Sequence, residues 1–316
     1  MNMKLSTLKL LAMAAFGLSC IPIQAAEQAA EVEVQYKPNP PPMVITLPKM
    51  HRGYVDGPFG QIHFQDAGGK GRPLVMLHQA PMDSRQFESV FKFLIDQGVR
   101  PIAIDLPGFG MSDVTSFVPR IEDFAKIVPP VLDALGIDVA DVLGHHTGAL
   151  VATEVSLQFP NRVHKLVLAG PFPIDESERQ KFLDGVQRGE IDFVYAADGS
   201  HLMKSFQTRY RMYSDTGATP NPKLITRYVI EKFSGYGPFW YGHHASFIYD
   251  HKRTIPLIRK STLILTSTGD QIYDLAKRTK QMRPDFEMVV LQGGGVDIVD
   301  QQPKAWAEAI AKFLAR

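Results

Sequence analysis

Cysteine is almost absent from this sequence: its 316 residues contain one, Cys20. That residue lies within residues 1–25, which have the organisation of a secretory signal peptide. Lys4 and Lys9 precede an apolar run, and a small-residue cleavage site ends at Ala25. Cleavage there would remove the only thiol. We therefore expect a mature chain with no disulfide, no thiolate metal site and no cysteine nucleophile, in the periplasm or secreted.

Long hydrophobic runs and an excess of charge of one sign are also missing. The apolar run of the leader, Leu10–Leu18, is too short to span a bilayer comfortably. Gly17-Leu18-Ser19 lacks the aliphatic residue that a lipoprotein signal places three positions before its cysteine, so we expect no stable membrane anchor after cleavage. The formal charge is +1 and becomes −1 once Lys4 and Lys9 are removed. A near-neutral chain without basic runs argues against a nucleic-acid partner.

Strands and helices alternate along most of the chain, after a proline-rich arm at residues 26–50. Continuous apolar runs such as Leu74–His78 indicate strands that are buried on both faces. Their alternation with helical patterns predicts a mostly parallel sheet. The alternation stops after residue 170, and a helical region rich in aromatic residues follows. We therefore predict a core of residues 51–170 and 256–316, interrupted by a helical cap, residues 171–255.

The stretch Gly144-His145-His146-Thr147-Gly148 follows an apolar strand pattern and precedes a helical one. A strand, a glycine-flanked turn and a helix form the context of the nucleophile elbow, G-x-S-x-G. The glycines are required because the turn is strained and the strand and helix leave no room for a Cβ. The central position of an elbow projects above the sheet edge. Here it holds His146 and not serine.

These pieces, in this order, resemble the α/β-hydrolase superfamily, in its branch with a helical cap after the sixth strand. The resemblance covers essentially the whole mature chain, and five motifs carry it: Leu77-His78, the D-x-P-G-x-G-x-S loop at Asp105–Ser112, the elbow at Gly144–Gly148, Gly269-Asp270 and Gly293–Asp297. It implies an α/β fold with a mostly parallel eight-stranded sheet flanked by helices.

The resemblance also implies a serine–histidine–acid triad, of which this sequence keeps one member in its usual place. Asp270 matches the acid, but His146 stands at the nucleophile position and Val296 stands where the family places its catalytic histidine. No serine matches the elbow apex. Ordinary acyl-serine chemistry therefore cannot be carried over to this chain.

We expect His146 to act as a general base or nucleophile that Asp270 orients. A free imidazole has a pKa of about 6.5 and is substantially neutral near pH 7. The space left by the missing histidine, beside Val296, would let the longer side chain reach Asp270, and a carboxylate partner would stabilise the protonated ring. Three alternatives stay open: a tolerated polar residue in a binding pocket for His146, a loop-capping role for Asp270, and Asp297 as the acidic partner.

An oxyanion hole is predicted next to the elbow. The backbone N–H of Thr147, at the start of a helix, would be one donor and the N–H of Ala80 the other. Gln79 replaces the glycine that the family usually has after His78. Its amide would add a side-chain donor or fill the hole. His78 is expected to hold this loop in place.

Further candidates come from the remaining histidines and from the aromatic cap. His145 is expected to pack beside the elbow, at the border of the substrate site. Trp240, His243 and His244 lie in one W-Y-G-H-H run and are candidates for the substrate site. For the two histidines, surface or core placement is the favoured interpretation, and the alternative is that one of them faces the pocket and acts as an acid. No zinc-ligand spacing accompanies these histidines, so we expect no metal and no cofactor. The aromatic cap favours a small apolar or aromatic carbonyl substrate.

The sequence therefore predicts an exported, cofactor-free enzyme that hydrolyses an ester, a lactone or an activated C–C bond. A lyase or isomerase that abstracts a proton would need the same residues without a bound water. A non-catalytic ligand-binding protein would keep the fold and the pocket after losing the triad. The sequence leaves these alternatives open, together with the oligomeric state.

Overall fold

The computed structural model describes residues 48–215 and 219–316. The predicted signal peptide, Cys20 and all but the last three residues of the proline-rich arm lie outside the described residues.

An eight-stranded sheet forms the centre of the molecule, in the order β1-β2-β4-β3-β5-β6-β7-β8. The first two strands form an antiparallel hairpin, β2 pairs antiparallel with β4, and every other neighbouring pair is parallel. This confirms the predicted fold class. The strands are β1 His51–Gly57, β2 Gly60–Asp66, β3 Arg72–Leu77, β4 Val99–Ile104, β5 Ala140–His145, β6 Val163–Ala169, β7 Ser261–Ser267 and β8 Glu287–Leu291.

Helices flank the sheet on both faces and fill the long connection between β6 and β7. They are α1 Glu88–Asp96, α2 Ile121–Phe124, α3 Val128–Ala134, α4 Thr147–Gln158, α5 Glu176–Val186, α6 Ser200–Asp215, α7 Pro222–Ser234, α8 Tyr241–Ile248, α9 His251–Thr254, α10 Tyr273–Met282, α11 Ile298–Gln301 and α12 Pro303–Leu314. Among the described residues, no helix is long and apolar enough to cross a membrane.

The helical stretch from Ile121 to Ala134 is divided in the structure. It consists of α2, a 3₁₀ turn at Ala125–Ile127, and α3. Pro129 and Pro130 lack the N–H that would continue a helix, but proline is well tolerated in a first turn. The chain therefore starts a new helix at Val128 instead of bending the first one.

The sheet is buried on both faces, as its apolar strands require. In β3, Val75 and Leu77 belong to one hydrophobic cluster, while Leu74 and Met76 belong to the other, and all four are inaccessible to solvent. The two clusters follow from the alternation of side chains along a strand. Since every parallel strand ends at the same edge, the loops after β3, β5, β7 and β8 meet there, and this edge carries the predicted site.

The connection between β6 and β7 contains α5 to α9. Several contacts join it to the core; for example, Arg278 on α10 pairs with Glu178 on α5 at 2.6 Å, and Ser246 on α8 donates to the Thr147 hydroxyl at 3.1 Å. This connection corresponds to the predicted cap and is called the cap segment below (residues 171–255).

Candidate active site

His146 occupies the apex of a strained turn between β5 and α4. Its φ of 49° and ψ of −111° make it the only non-glycine residue with a positive φ in the described part of the chain. The turn is held by hydrogen bonds from His146 N–H to the Ala169 carbonyl, 2.7 Å, and from Ala149 N–H to the His146 carbonyl, 2.8 Å. A backbone in this region persists only where its surroundings enforce it.

The two flanking glycines allow this turn, as predicted. A Cβ at Gly144 would lie 1.8 Å from the carbonyl oxygen of Gly148, and one at Gly148 would lie 1.9 Å from the carbonyl oxygen of Leu77. Both neighbours are backbone atoms that cannot move aside. The elbow geometry is therefore present although its apex is an imidazole.

The imidazole of His146 reaches the predicted acid. His146 Nε2 lies 2.9 Å from Asp270 Oδ2, and the Asp270 side chain is 3% exposed. Burial acts to raise the pKa of Asp270, but the charge and hydrogen bond of His146 and the N–H of Ile272 outweigh it and lower the pKa. Because an ionised carboxylate only accepts, Nε2 carries the proton, and Nδ1 keeps a free lone pair.

Gly170 provides the space for this ring. A Cβ at Gly170 would lie 2.7 Å from His146 Cδ2 and 3.0 Å from Nε2. Its φ is +76°, a conformation that favours glycine. The residue that follows β6 therefore permits the approach of His146 to Asp270.

His145 packs beside the elbow, as expected, but it does not line the cavity above the elbow, which corrects our expectation that it borders the substrate site. Its ring is 1% exposed and lies 4.6 Å from the His146 ring, edge to face. Gln86 Nε2 lies 2.6 Å from His145 Nδ1, while Gln86 Oε1 accepts from the N–H of Gln79. Burial, and then the neighbouring His146, lower the pKa of His145 to about 3, so it supports the elbow as a neutral ring.

The two predicted oxyanion donors are open to a ligand. The N–H groups of Ala80 and Thr147 have no hydrogen-bond acceptor within the described residues, and both residues line a cavity. Gln79 offers no further free donor: its N–H is bound by Gln86, and its side-chain Nε2 lies 3.2 Å from Asp297 Oδ1. The loop is held by His78, whose Nδ1 contacts the Gln79 carbonyl at 2.9 Å.

Asp297 has other partners than His146. Both its oxygens bind Arg209 of α6, and the Tyr213 hydroxyl donates to Oδ2 at 2.5 Å. Burial acts to raise the pKa of Asp297, but Arg209 and Tyr213 lower it. The structure therefore places Asp270, and not Asp297, beside His146.

A cavity of about 970 Å³ opens above the elbow, between the sheet edge and the cap segment. Its inner wall includes His146, Val296, the two oxyanion residues and Gln79, and its outer wall comes from α5 to α8. The larger apolar residues in its lining are Leu150, Phe172, Phe182, Val186, Phe193, Val194, Met212, Phe247, Ile272 and Val296. Its size suits a small organic molecule.

Of the three cap candidates, one lines this cavity. His243 does, and its Nδ1 lies 2.7 Å from Glu190 Oε1. Trp240 and His244 are not among the lining residues; their rings pack on each other, 5.6 Å apart and edge to face. Our expectation that Trp240 and His244 border the substrate is therefore not met, because the side of α8 that carries them turns away from the cavity.

The model of the alpha/beta hydrolase fold family matches residues 72–300. The chain belongs to this family. A 2-hydroxy-6-oxononadienedioate/2-hydroxy-6-oxononatrienedioate hydrolase of Pseudomonas sp is 24% identical over 277 residues, 81% of this chain and 93% of that protein. Hydrolase 1 of the same description from Pseudomonas putida is 32% identical over 167 residues, 47% of this chain and 59% of that protein. An esterase structure from Exiguobacterium antarcticum has a TM-score of 0.69 at 20% identity, covering 84% of this chain and 100% of that chain.

Within the α/β-hydrolase fold of this chain, sequence reasoning missed three residues of the site. Gln86 joins the oxyanion loop to the elbow, Arg209 binds Asp297, and Glu190 binds His243. Each comes from a helix or turn whose pattern signals packing and not chemistry. Among the described residues there is no cluster of three or more His, Cys, Asp or Glu side chains that could hold a metal ion.

Proposed function

We propose that this protein is a cofactor-free hydrolase of a small, largely apolar carbonyl compound, with His146 as its general base. The observation that carries the proposal is the 2.9 Å contact between His146 Nε2 and Asp270 Oδ2, beside a cavity that is also lined by Ala80 and Thr147, whose N–H groups have no acceptor among the described residues. An ester, a lactone or an activated C–C bond fits this arrangement. The relatives support hydrolysis, since they are described as hydrolases.

In the proposed reaction, His146 Nδ1 accepts a proton from a water molecule as the water oxygen adds to the substrate carbonyl. Asp270 fixes the tautomer and stabilises the imidazolium that forms. The N–H groups of Ala80 and Thr147 receive the developing oxyanion, and Thr147 lies at the positive end of α4. No acyl-enzyme is needed, because water takes the place of the serine. Direct attack by Nδ1 on the carbonyl is the nucleophilic variant of the same scheme.

A second candidate is proton abstraction from carbon, as in a lyase or isomerase. The cavity holds a second histidine–carboxylate pair, His243 and Glu190, which would return the proton at another position. The base, its orienter and the oxyanion donors would keep their roles. The two reactions differ in the incorporation of solvent oxygen into the product.

The test is a panel of aryl esters, alkyl esters, lactones and 2-hydroxy-6-oxo-dienoates, assayed in H₂¹⁸O. We expect turnover with one ¹⁸O atom in the acid product, and we expect His146→Ala to lower kcat by on the order of 10²–10⁴-fold, the usual contribution of a general base. Turnover without ¹⁸O would favour the second candidate. His146→Ala with unchanged turnover, or tight binding of panel compounds without any turnover, would instead indicate a ligand-binding protein.

We also propose that the protein is exported and processed after Ala25. The support is the order of basic, apolar and small residues in the leader. N-terminal sequencing of protein expressed in a Gram-negative host should give Ala26 as the first residue, from the periplasmic fraction. A full-length chain in the cytoplasm would contradict this.

A further inference from the structure

Helix α8 of the cap segment packs directly on the two predicted oxyanion residues. A Cβ at Gly242 would lie 2.3 Å from the Ala80 Cβ, so the helix approaches the loop as closely as a glycine allows. One turn further on, Ser246 Oγ donates to the Thr147 hydroxyl at 3.1 Å. The position of α8 relative to the reacting centre is therefore fixed at two points.

His243 lies between these two contacts and lines the same cavity as His146. It precedes Ser246 by three residues, a rise of about 4.5 Å along the helix. Its ring stacks on Phe247, with centroids 5.8 Å apart and planes within 3° of parallel. The stacking and the helix together set the orientation of the imidazole.

Glu190 is the partner of this ring. It lies in the turn Gln187–Ile191 after α5, and its Oε1 accepts from His243 Nδ1 at 2.7 Å. His243 is its only ion-pair partner among the described residues, and its Oε2 is buried without a hydrogen bond there. With the proton of Nδ1 committed to Glu190, Nε2 is the ring nitrogen left for a ligand.

The charges around His243 favour its protonated form. Burial acts to lower its pKa, but the charge and hydrogen bond of Glu190 outweigh burial, so that the pKa is raised. Lys232 on α7 and Arg209 on α6 act in the opposite direction and limit the rise. The imidazolium of His243 is therefore more persistent than that of a free histidine, in a cavity where His146 must be neutral to act.

We infer that His243, held by Glu190, is the general acid of the reaction and donates a proton from Nε2 to the leaving group. The inference rests on the hydrolysis proposed above and adds a residue to it. Two histidine–carboxylate pairs with opposite protonation then face one substrate, the arrangement expected of a matched base and acid. The pair on the sheet edge accepts a proton, and the pair on the cap donates one.

The proton balance closes over one turnover. His146 Nδ1 takes a proton from water as the C–O bond forms, and the tetrahedral oxyanion collapses with cleavage of the bond to the leaving group. The leaving oxygen or carbon takes the proton of His243 Nε2. His146 ends protonated and His243 neutral, and exchange with solvent restores both.

The test compares leaving groups in His243→Gln. A general acid is needed for an alkoxide or carbanion leaving group but not for p-nitrophenolate. We expect His243→Gln to lose on the order of 10²–10⁴-fold in kcat on an alkyl ester, a lactone or a C–C substrate, whichever is turned over, and less than about tenfold on the p-nitrophenyl ester of the same acid. His244→Gln, the neighbouring residue outside the cavity lining, is the matched control and should match wild type on both.

Glu190→Gln supplies a second readout that a structural role would not move. A general acid is active while protonated, so the rate falls as pH rises through the pKa of His243. Removal of the Glu190 charge lowers that pKa and should shift this alkaline limb to lower pH. Equal losses on both leaving groups, an unchanged rate in His243→Gln, or an unshifted limb in Glu190→Gln would each overturn the inference.

A last measurement separates this inference from the proposed function. If no substrate in the panel is hydrolysed, the hydrolase proposal fails, and His243 is then followed by ¹H–¹⁵N spectra of the imidazoles in the full mature chain. We expect His243 to titrate above the free value of about 6.5 and to titrate lower in Glu190→Gln. A His243 that titrates below the free value in wild type would overturn the acid role.

Discussion

The sheet edge and the cap segment hold their buried carboxylates in different ways. At the sheet edge, Asp270 accepts from His146 and from the N–H of Ile272, and its pKa is lowered. In the cap segment, the Glu231 side chain on α7 is fully buried and its Oε1 lies 3.2 Å from Arg227 Nε, but neither carboxylate oxygen has a hydrogen bond among the described residues, and its pKa is raised to about 9. The surroundings of Asp270 therefore favour its ionised form, and the surroundings of Glu231 favour its neutral form.

This difference indicates which part of the site is rigid and which part is adaptable. The sheet edge fixes its groups through strand ends and backbone N–H donors, which cannot move without disrupting the core. The cap segment is anchored by side chains, such as Arg209 to Asp297 and Ser246 to Thr147. Buried polar groups without partners are rare in folded proteins and mark places where packing is compromised. We therefore assign the invariant part of the proposed chemistry to the sheet edge and the choice of substrate to the cap.

The largest expected effect distinguishes the role of Asp270 from that of Asp297, the two aspartates at the sheet edge. Asp270→Asn should lower kcat by on the order of 10²–10⁴-fold, because an amide no longer favours the tautomer with a free Nδ1 or stabilises the imidazolium. Its stability should change little, since the amide keeps the shape of the carboxylate. Kinetics and thermal unfolding of the same preparation measure both quantities.

Asp297→Asn is the matched comparison and should show the reverse pattern. It leaves Arg209, 4% exposed, without its counter-ion, a change that costs about 3–5 kcal/mol of stability when a buried pair is broken. The turnover of the folded fraction should fall much less than in Asp270→Asn. If Asp297→Asn proved the more damaging variant for kcat at equal folding, the assignment of Asp270 as orienter would be wrong.

The next effect concerns the space for the His146 ring. Gly170→Ala places a Cβ 2.7 Å from His146 Cδ2 and should displace the ring from Asp270, and a misplacement of about 1 Å costs on the order of 10²-fold in rate. Gly98→Ala is the control, because its φ of +77° is nearly the same and its Cβ would have no neighbour within 4 Å. Both variants should lose similar stability from the strained backbone. Only Gly170→Ala should lose activity, and an equal loss in both would refute the steric argument.

Most of the fold could be predicted from the sequence, because the features that determine it are local. The apolar run Leu74–His78 located β3 to within two residues, and glycine spacing identified the elbow. The proximity of His146 and Asp270 was implied by the resemblance to the α/β-hydrolase superfamily, and the strand order gives its physical reason, since both residues follow strands that end at one edge. Their catalytic roles remain predictions.

The cap could not be predicted to the same depth. Glu190 and His243 are 53 residues apart and meet because α5 and α8 pack together, which no local pattern encodes. Adjacent positions such as His243 and His244 are indistinguishable in sequence, and only the rotation of α8 decides which one lines the cavity. The same holds for Trp240, whose indole is used in packing.

A gain of activity, smaller than the losses above, would test whether the sheet edge still has the geometry of its family. The double variant His146→Ser plus Val296→His rebuilds a serine, a histidine and Asp270 around the existing elbow. We expect weak hydrolysis of an activated aryl ester with an acyl-enzyme burst, and labelling of residue 146 by a fluorophosphonate. Neither single variant should show the burst.

Wild type is the control for the label and should not react, because no hydroxyl stands at the elbow apex. Ser246 lines the cavity, but it is 4% exposed and its Oγ is bonded to Thr147 and to the Gly242 carbonyl. Stoichiometric labelling of wild type at this or any other serine would show that the nucleophile has been misplaced. A folded double variant that binds ligand but forms no acyl-enzyme would count against the convergence of residues 146, 270 and 296.

The smallest expected effect concerns the unsatisfied carboxylate of the cap segment. Burial, followed by repulsion from Asp83, raises the pKa of Glu231 to about 9, and Arg227 only partly opposes them. The pKa of Asp83 is itself raised to about 7, by burial and then by the charge of Asp105. An acid whose pKa is higher in the folded state than in the unfolded chain stabilises the fold at low pH. That contribution is lost as the pH rises from the pKa of the unfolded chain, about 4.3, through the pKa of the folded protein.

Glu231→Gln removes this titration while keeping the size of the side chain. At pH 8 the variant should therefore be more stable than wild type, by on the order of 1–3 kcal/mol, because folding of the wild type at that pH requires Glu231 to bind a proton that the unfolded chain has released. At pH 4.5 the difference between the two should be much smaller, because wild-type Glu231 is then neutral in the folded state and only about half ionised in the unfolded chain. Glu308→Gln on α12, where the side chain is 52% exposed, is the control and should follow wild type throughout. Urea unfolding at both pH values measures the difference, and parallel pH profiles for wild type and Glu231→Gln would mean that this carboxylate is solvated after all.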